Sequence, residues 1–254
     1  MLLAIDIGNT NTVLGVFDGD RLDRSWRIKT DARNTADELA LTFQGLLAGH
    51  EVTGVAACST VPGALFELRA MLAAYYAGLP TVVVEPGVHT GVNLLYDNPR
   101  EVGADRIVNT LAAYHLARGP AIVVDFGTTT NFDVVSARGD FLGGALAPGI
   151  EISLDALAAR AAQLRKVELV EPRAPIGKNT VEALQSGILY GFAGQVDGLV
   201  ARLRAELAPA DPGGVAVIAT GGLAPLMIAH CATVTRHEPD LTLLGLRLIF
   251  QRNL

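Results

Sequence analysis

The stretch AIDIGNTNTVLGVFDGDRL, residues 4–22, returns in altered form at residues 121–144 as AIVVDFGTTTNFDVVSARGDFLGG. In each copy an apolar strand runs into Asp-x-Gly-x-Thr, a second strand follows, and a turn with Gly and Asp closes the pair. The copies lie about 120 residues apart in a chain of 254. A repeat on that scale predicts two similar α/β halves. The chemistry of the repeated turn is as constraining as its position. A strand that stops at Asp-x-Gly-x-Thr presents backbone N–H groups, and its glycine lets a phosphate approach the backbone. Its Thr and Asn side chains add hydrogen bonds, and its carboxylate can hold a hydrated cation. Taken alone, Asp6 reads equally well as a turn or cap residue. Two such turns heading two matching halves form a pattern. VAVIATGGLAPLM, residues 215–227, adds a third element, a strand followed by Thr220-Gly221-Gly222 and a helix start. That glycine pair can lie flat against an adenine or a ribose.

Composition narrows the classes. The net charge is −6, which argues against a nucleic-acid partner and offers no polybasic membrane signal. Only Lys29, Lys166 and Lys178 are lysines, so phosphate chemistry must lean on backbone N–H groups, arginine or metal ions. Cys58 and Cys231 stand far apart and read as reduced thiols of a cytoplasmic protein. The start MLLAIDIGNT has no basic leader, and an acidic residue interrupts its apolar run. The longest apolar tract, residues 215–234, is broken by Gly221, Gly222, Pro225 and His230, so it is a poor membrane span. The five histidines show no metal-ligand spacing.

Strands are expected at 2–7, 12–17, 22–28, 52–59, 81–84 and 215–219, besides those of the second repeat. Helices are expected at 36–47, 63–76, 105–116, 151–164, 181–207 and 243–251. Thr35 and Glu38 have the spacing of a capping box. Gly119-Pro120 breaks a helix just before the repeat begins, which sets the division at 1–118 and 119–254. Residues 143–149, GGALAPG, read as a loop opening a helix that either faces a substrate or is a structural turn. Gly187, Gly191 and Gly194 lie at nearly helical spacing and suit tight helix contact, within one chain or in a dimer.

Two Asp-x-Gly-x-Thr hairpins with a late Gly-Gly turn resemble the acetate and sugar kinase/Hsp70/actin superfamily. More narrowly, DIGNTNT, GADR, DFGTTT, GGALAPG, GKNT, QSGI and LTLLGLRLIF resemble type III pantothenate kinase in order and spacing, over essentially the whole chain. The resemblance implies two duplicated ribonuclease H-like (actin-like ATPase) domains with a cleft between them. It implies ATP-dependent phosphorylation of pantothenate, the first step of coenzyme A synthesis, by a homodimer. It also implies Mg-ATP and a monovalent cation, K⁺ or NH₄⁺, as cofactors.

By the same resemblance, Asp6, Ile7, Gly8, Asn9, Thr10, Asn11, Thr12 and Val13 form the first phosphate loop, with Asp6 also holding Mg-ATP. Thr128 contacts ATP, and Asp125 is the monovalent-cation ligand. Gly103, Ala104, Asp105 and Arg106 line the pantothenate site, with Asp105 as general base and Arg106 suited to the substrate carboxylate. Spacing alone makes Asp105 a helix cap and Arg106 a surface residue; only the resemblance assigns them chemistry. Tyr96 and Thr180 match further substrate contacts, Thr180 reaching from the partner subunit; Tyr96 also reads as an ordinary loop aromatic. One departure stands out: Arg165 follows Leu164 where the family usually has Leu-Pro. Two other readings remain: a non-catalytic ATP-binding accessory protein on the same fold, and a small-molecule kinase or phosphatase of the superfamily with another substrate. Asp6, Asp105, Arg106 and Asp125 disfavour the first, and GADR with GKNT disfavours the second.

Overall fold

A computed structural model describes residues 1–160 and 167–254. The departure at Leu164-Arg165 and the end of the helix expected over 151–164 lie outside the described residues. The chain forms two units, each with its own five-stranded sheet.

The first unit comprises 1–92, 97–112 and 241–254. Strands β1 (Leu2–Ile7), β2 (Asn11–Asp18) and β3 (Arg21–Lys29) form the expected antiparallel meander, with Gly19 at φ +60° in the β2–β3 turn. After helix α1 (Ala36–Leu46), strand β4 (Gly54–Ser59) pairs in parallel with β1. Helix α2 (Pro62–Tyr75) leads to strand β5 (Thr81–Val83), giving the order β3-β2-β1-β4-β5. The capping box of α1 forms as read: the Glu38 N–H donates to Thr35 Oγ1 and the Thr35 N–H donates to Glu38 Oε2. β1 and β4 are apolar because both faces of the sheet are covered. Leu3, Ile5, Ile7 and Leu14 pack against α1 and α2. Ala4, Phe17 and Cys58 face α3 (Ala104–Ala117) and the last helix, α7 (Leu241–Arg252). That return fixes Gly54: a Cβ there would lie within 3.2 Å of several atoms of the Phe250 ring.

The second unit comprises 93–96 and 113–240. Strands β6 (Ala121–Phe126), β7 (Thr129–Val135) and β8 (Phe141–Pro148) repeat the meander. Helices α4 (Ile150–Arg160) and α5 (Thr180–Leu207) precede β9 (Ala216–Thr220), which pairs in parallel with β6. The short helix α6 (Ala224–Met227) and strand β10 (Arg236–His237) complete the order β10-β9-β6-β7-β8. The two sheets thus share one topology, with β6, β7, β8, β9 and β10 standing for β1, β2, β3, β4 and β5. The GGALAPG segment is strand, where a loop was expected. Gly143 and Gly144, at φ +102° and +155°, sit within β8, and a Cβ on Gly144 would collide with the Phe132 carbonyl of β7. Backbone crowding inside the ladder explains glycines that read in sequence as a loop signal.

Candidate active site

Asp6 and Asp125 each occupy the fifth position of a six-residue strand. On one side Asp6 pairs with Val13 and Asp125 with Asn131; on the other they pair with Cys58 and Thr220. The repeat therefore extends to the register of the two carboxylates.

At the first turn the Gly8 N–H donates to the Asn11 carbonyl at 3.0 Å, closing the loop tightly. The Thr30 N–H donates to the Thr10 carbonyl, and the hydroxyls of Thr12 and Thr30 lie 2.9 Å apart. Ile7 and Thr12 are buried beneath the loop, whereas Asn9 and Thr10 are exposed. The loop thus offers backbone and small polar groups above a fixed base. The Cys58 thiol donates to Asp6 Oδ1 at 3.4 Å. Burial pushes the Asp6 carboxyl up to about 7, and the negative charge of Asp105 pushes the same way; Cys58 and Arg27 pull it partly back.

Asp105 lies in the first turn of α3 and accepts a hydrogen bond from the Arg106 N–H at 2.9 Å. Burial raises its pKa too, with the Arg106 N–H and then the Arg106 guanidinium opposing. Gly103 leaves that carboxylate room, since a Cβ there would lie 2.5 Å from Asp105 Oδ1 and make it shift. Arg106 is buried, which is not how a surface arginine sits, and the Thr110 hydroxyl donates to its carbonyl. Asp6 and Asp105 therefore lie in electrostatic reach within the first unit, with Gly103, Ala104 and Arg106 beside them in sequence.

In the second unit the Gly127 N–H donates to the Thr129 carbonyl, closing a turn that exposes Thr128. Two glycines crowd it. A Cβ on Gly221, at φ +92°, would sit 2.5 Å from Asp125 Oδ1; one on Gly149 would collide with the Thr128 carbonyl. The strand–Thr220-Gly221-Gly222–helix reading holds, and the glycine is needed beside Asp125 itself. Tyr96 rests on β8, its ring 5.8 Å from that of Phe141 and half-exposed. Thr180 is exposed at the first position of α5, after Asn179, whose side chain caps the helix by accepting from the Glu182 N–H. Sequence reasoning missed Cys58 and Gly149. The strand register could have found Cys58, since a parallel strand opposite β1 has to place some residue against Asp6; Gly149 left no separate signal.

Among the described residues no cluster of three or more His, Cys, Asp or Glu side chains could hold a metal by itself. Two crowded carboxylates nonetheless suit a divalent ion that completes its shell with phosphate oxygens and water. Asp125, in a cradle that a Cβ on Gly221 would fill, suits a cation taking oxygen ligands only.

A family profile described as type III pantothenate kinase matches residues 2–202. The type III pantothenate kinase of Salinispora arenicola is 69% identical over 255 residues, covering 100% of both chains. That of Streptomyces griseus is 60% identical, covering 100% of this chain and 98% of its own. Among solved structures, a ROK hexokinase from Thermus thermophilus matches with TM-score 0.53 at 20% identity, covering 98% of this chain and 97% of its own. The activator of the 2-hydroxyisocaproyl-CoA dehydratase from Clostridium difficile matches at TM-score 0.56 and 12% identity, covering 99% and 95%. These structures share the fold.

Proposed function

The chain belongs to the type III pantothenate kinase family, and from that premise we propose how its residues phosphorylate pantothenate in coenzyme A biosynthesis. The enzyme moves the γ-phosphoryl group of ATP to the primary hydroxyl of pantothenate, giving 4′-phosphopantothenate and ADP. The bond from the γ-phosphorus to the ADP oxygen breaks, and one from the same phosphorus to the pantothenate oxygen forms. The hydroxyl proton passes to Asp105.

The observation that carries this reading is that Asp105, at a helix start, lies within electrostatic reach of Asp6, near a strand end. Phosphoryl transfer asks a protein mainly for positioning and charge neutralisation. Residues 6–13 supply N–H groups and small side chains for the phosphates, and Asp6 would hold the divalent ion of Mg-ATP. Asp105, its pKa raised by burial, is a better base than an exposed aspartate. Arg106 pairs with the pantothenate carboxylate, with Gly103 and Ala104 keeping that helix start open. Thr128 contacts ATP from the second turn, and Asp125 would bind K⁺ or NH₄⁺, which supplies charge without imposing a rigid coordination shell. Tyr96 and Thr180 are substrate contacts, Thr180 from a partner subunit.

The working form is read as a homodimer. Leu146 on β8, Ile176 and Val181 are large apolar side chains left exposed, and a Cβ on Gly187, Gly191 or Gly194 would meet nothing within 4 Å. A second copy would cover these groups. Among the described residues no helix is long and apolar enough to cross a membrane, and a cytoplasmic enzyme drawing on ATP fits that. The test is ADP release from ATP and pantothenate by purified protein with Mg²⁺, in K⁺ and then Na⁺. Pantothenate-dependent turnover that needs K⁺ supports the whole reading. ATP binding without turnover in either salt would favour an accessory protein.

A further inference from the structure

Asp6 pairs with Val13, and Val13 pairs with Arg27 of β3. Directly opposed residues share one face of a sheet. Arg27, Val13, Asp6 and Cys58 thus form a single row across β3, β2, β1 and β4. The core confirms the side. Trp26 and Ile28 pack with the cluster of α1 and α2, so Arg27 between them points the other way. That is the face on which Ala4, Phe17 and Cys58 meet α3 and α7, and α3 begins at Ala104 with Asp105 next.

Two strand spacings, about 10 Å, separate Asp6 from Arg27, and the guanidinium charge is felt at the Asp6 carboxylate. Neighbouring arginines are occupied. Arg21 pairs with Asp23, Arg33 with Asp31 and Arg247 with Asp20, while Arg24 lies over Trp26. Arg27 is exposed and has no hydrogen bond or ion pair to any described residue. The first phosphate loop itself carries no lysine or arginine. Two carboxylates and a triphosphate together carry more negative charge than the one divalent ion assigned to Asp6 offsets, which leaves a use for a cation of the protein.

We propose that Arg27 is a phosphate-binding residue of this kinase, whose guanidinium takes the terminal phosphoryl group of ATP. The inference rests on the reading of residues 6–13 as the nucleotide loop. A planar fork of donors matches phosphate oxygens, and it neutralises charge as the phosphoryl group moves toward the acceptor.

The experiment compares wild type with Arg27→Ala, Arg27→Lys and, as a control on the opposite face of β3, Arg24→Ala. Each is titrated calorimetrically with ADP and with a non-hydrolysable ATP analogue, then assayed with pantothenate. Arg27→Ala should bind ADP within about twofold of wild type but the analogue about tenfold or more weakly. Its kcat should fall on the order of 10²–10³-fold, with the KM for pantothenate unchanged. Arg27→Lys should recover part of both losses, and Arg24→Ala should match wild type. Equal weakening toward ADP and the analogue, or wild-type turnover in Arg27→Ala, would overturn the assignment. Should Arg27→Ala fail to fold, Arg27→Lys, which keeps the charge without the fork, carries the same comparison. If the wild type binds ATP but does not phosphorylate pantothenate, the function proposed above fails, while the ADP–analogue contrast still decides Arg27.

Discussion

Asp6 is held in a place that costs the free protein stability. Burial and the charge of Asp105 lift its carboxyl from 3.8 to about 7. The folded chain therefore binds this proton more tightly than the unfolded chain. The stability it contributes is fully present below about pH 4 and is lost as pH rises through about 7. A shift of about three units, at 1.36 kcal/mol each, sets a ceiling of about 4 kcal/mol on the penalty in the ionised state. Asp6→Asn removes the charge, keeps the shape, and leaves an oxygen for the Cys58 thiol. In metal-free buffer with chelator at pH 8 the variant should melt higher than wild type. At roughly 2–4 °C per kcal/mol for a chain of this size, even half the ceiling gives a rise of about 4–8 °C. Scanning calorimetry from pH 4 to pH 9 is the assay. The gap should be near zero at pH 4, open between pH 4 and 7, and stay flat above. Mg-ATP should then stabilise wild type and not the variant, which should be inactive. A wild type as stable as Asp6→Asn at pH 8, or a gap independent of pH, would refute the claim that ionising Asp6 destabilises the fold.

Asp105→Asn should lower kcat by about 10²-fold or more while nucleotide affinity holds and the melting temperature, freed of a buried charge, does not fall, as read by single-turnover kinetics and calorimetry; wild-type turnover would remove Asp105 as base. Replacing K⁺ by Na⁺ should sharply lower activity in wild type, and Asp125→Asn should abolish the difference; equal wild-type rates in both salts would remove the cation role of Asp125. Gly149→Ala pushes a Cβ into the Thr128 carbonyl, so its KM for ATP should rise, measured beside a melting curve to separate binding from folding. Thr35→Ala, which removes the capping hydroxyl of α1, should cost about 1 kcal/mol in denaturant unfolding and leave kcat unchanged.

Much of this fold is written in local signals. The meanders follow from apolar runs ended by Asp-x-Gly turns, and α1 begins where Thr35 and Glu38 place it. The errors fall where a distant partner decides. Gly143 and Gly144 carry the marks of a loop, yet β7 draws them into a ladder whose close approach only glycine permits. Nothing near Leu241 says that the last helix returns to the first sheet; Phe250 meets Gly54 of β4, and Gly245 meets Val108 of α3, far apart in sequence. Asp6 and Asp125 stand out in the sequence because each lies near a strand end, whereas Asp105, at a helix start, is marked by the family resemblance alone. Cys58 and Arg27 were not, because only the pairing of β1 with β4 and of β2 with β3 brings them into Asp6's row.

The same register has been put to two uses. Asp6 and Asp125 share their strand position and topology, but their neighbours differ. Across from Asp6 stands Cys58, a buried thiol whose own pKa is pushed up by burial and by the two aspartates, so it donates a hydrogen bond and adds no charge. Across from Asp125 stands Thr220, followed by a glycine that admits close approach to the carboxylate. The first arrangement brings two carboxylates together on one unit and makes a cation welcome. The second sets Asp125 beside a turn closed by the Gly127 N–H on the Thr129 carbonyl. A duplicated hairpin could have yielded two equivalent anion-repelling ends. In the mechanism proposed above, Asp105 beside one copy and Gly221 beside the other separate their chemistry: proton transfer and divalent-ion binding are assigned to the first and monovalent-cation binding to the second. Exchanging the opposing residues, Cys58→Thr with Thr220→Cys, should therefore leave both sheets folded and the division of labour intact, since Asp105 and Gly221 set it; a double variant whose K⁺ requirement disappeared would place that control in the opposing strand instead.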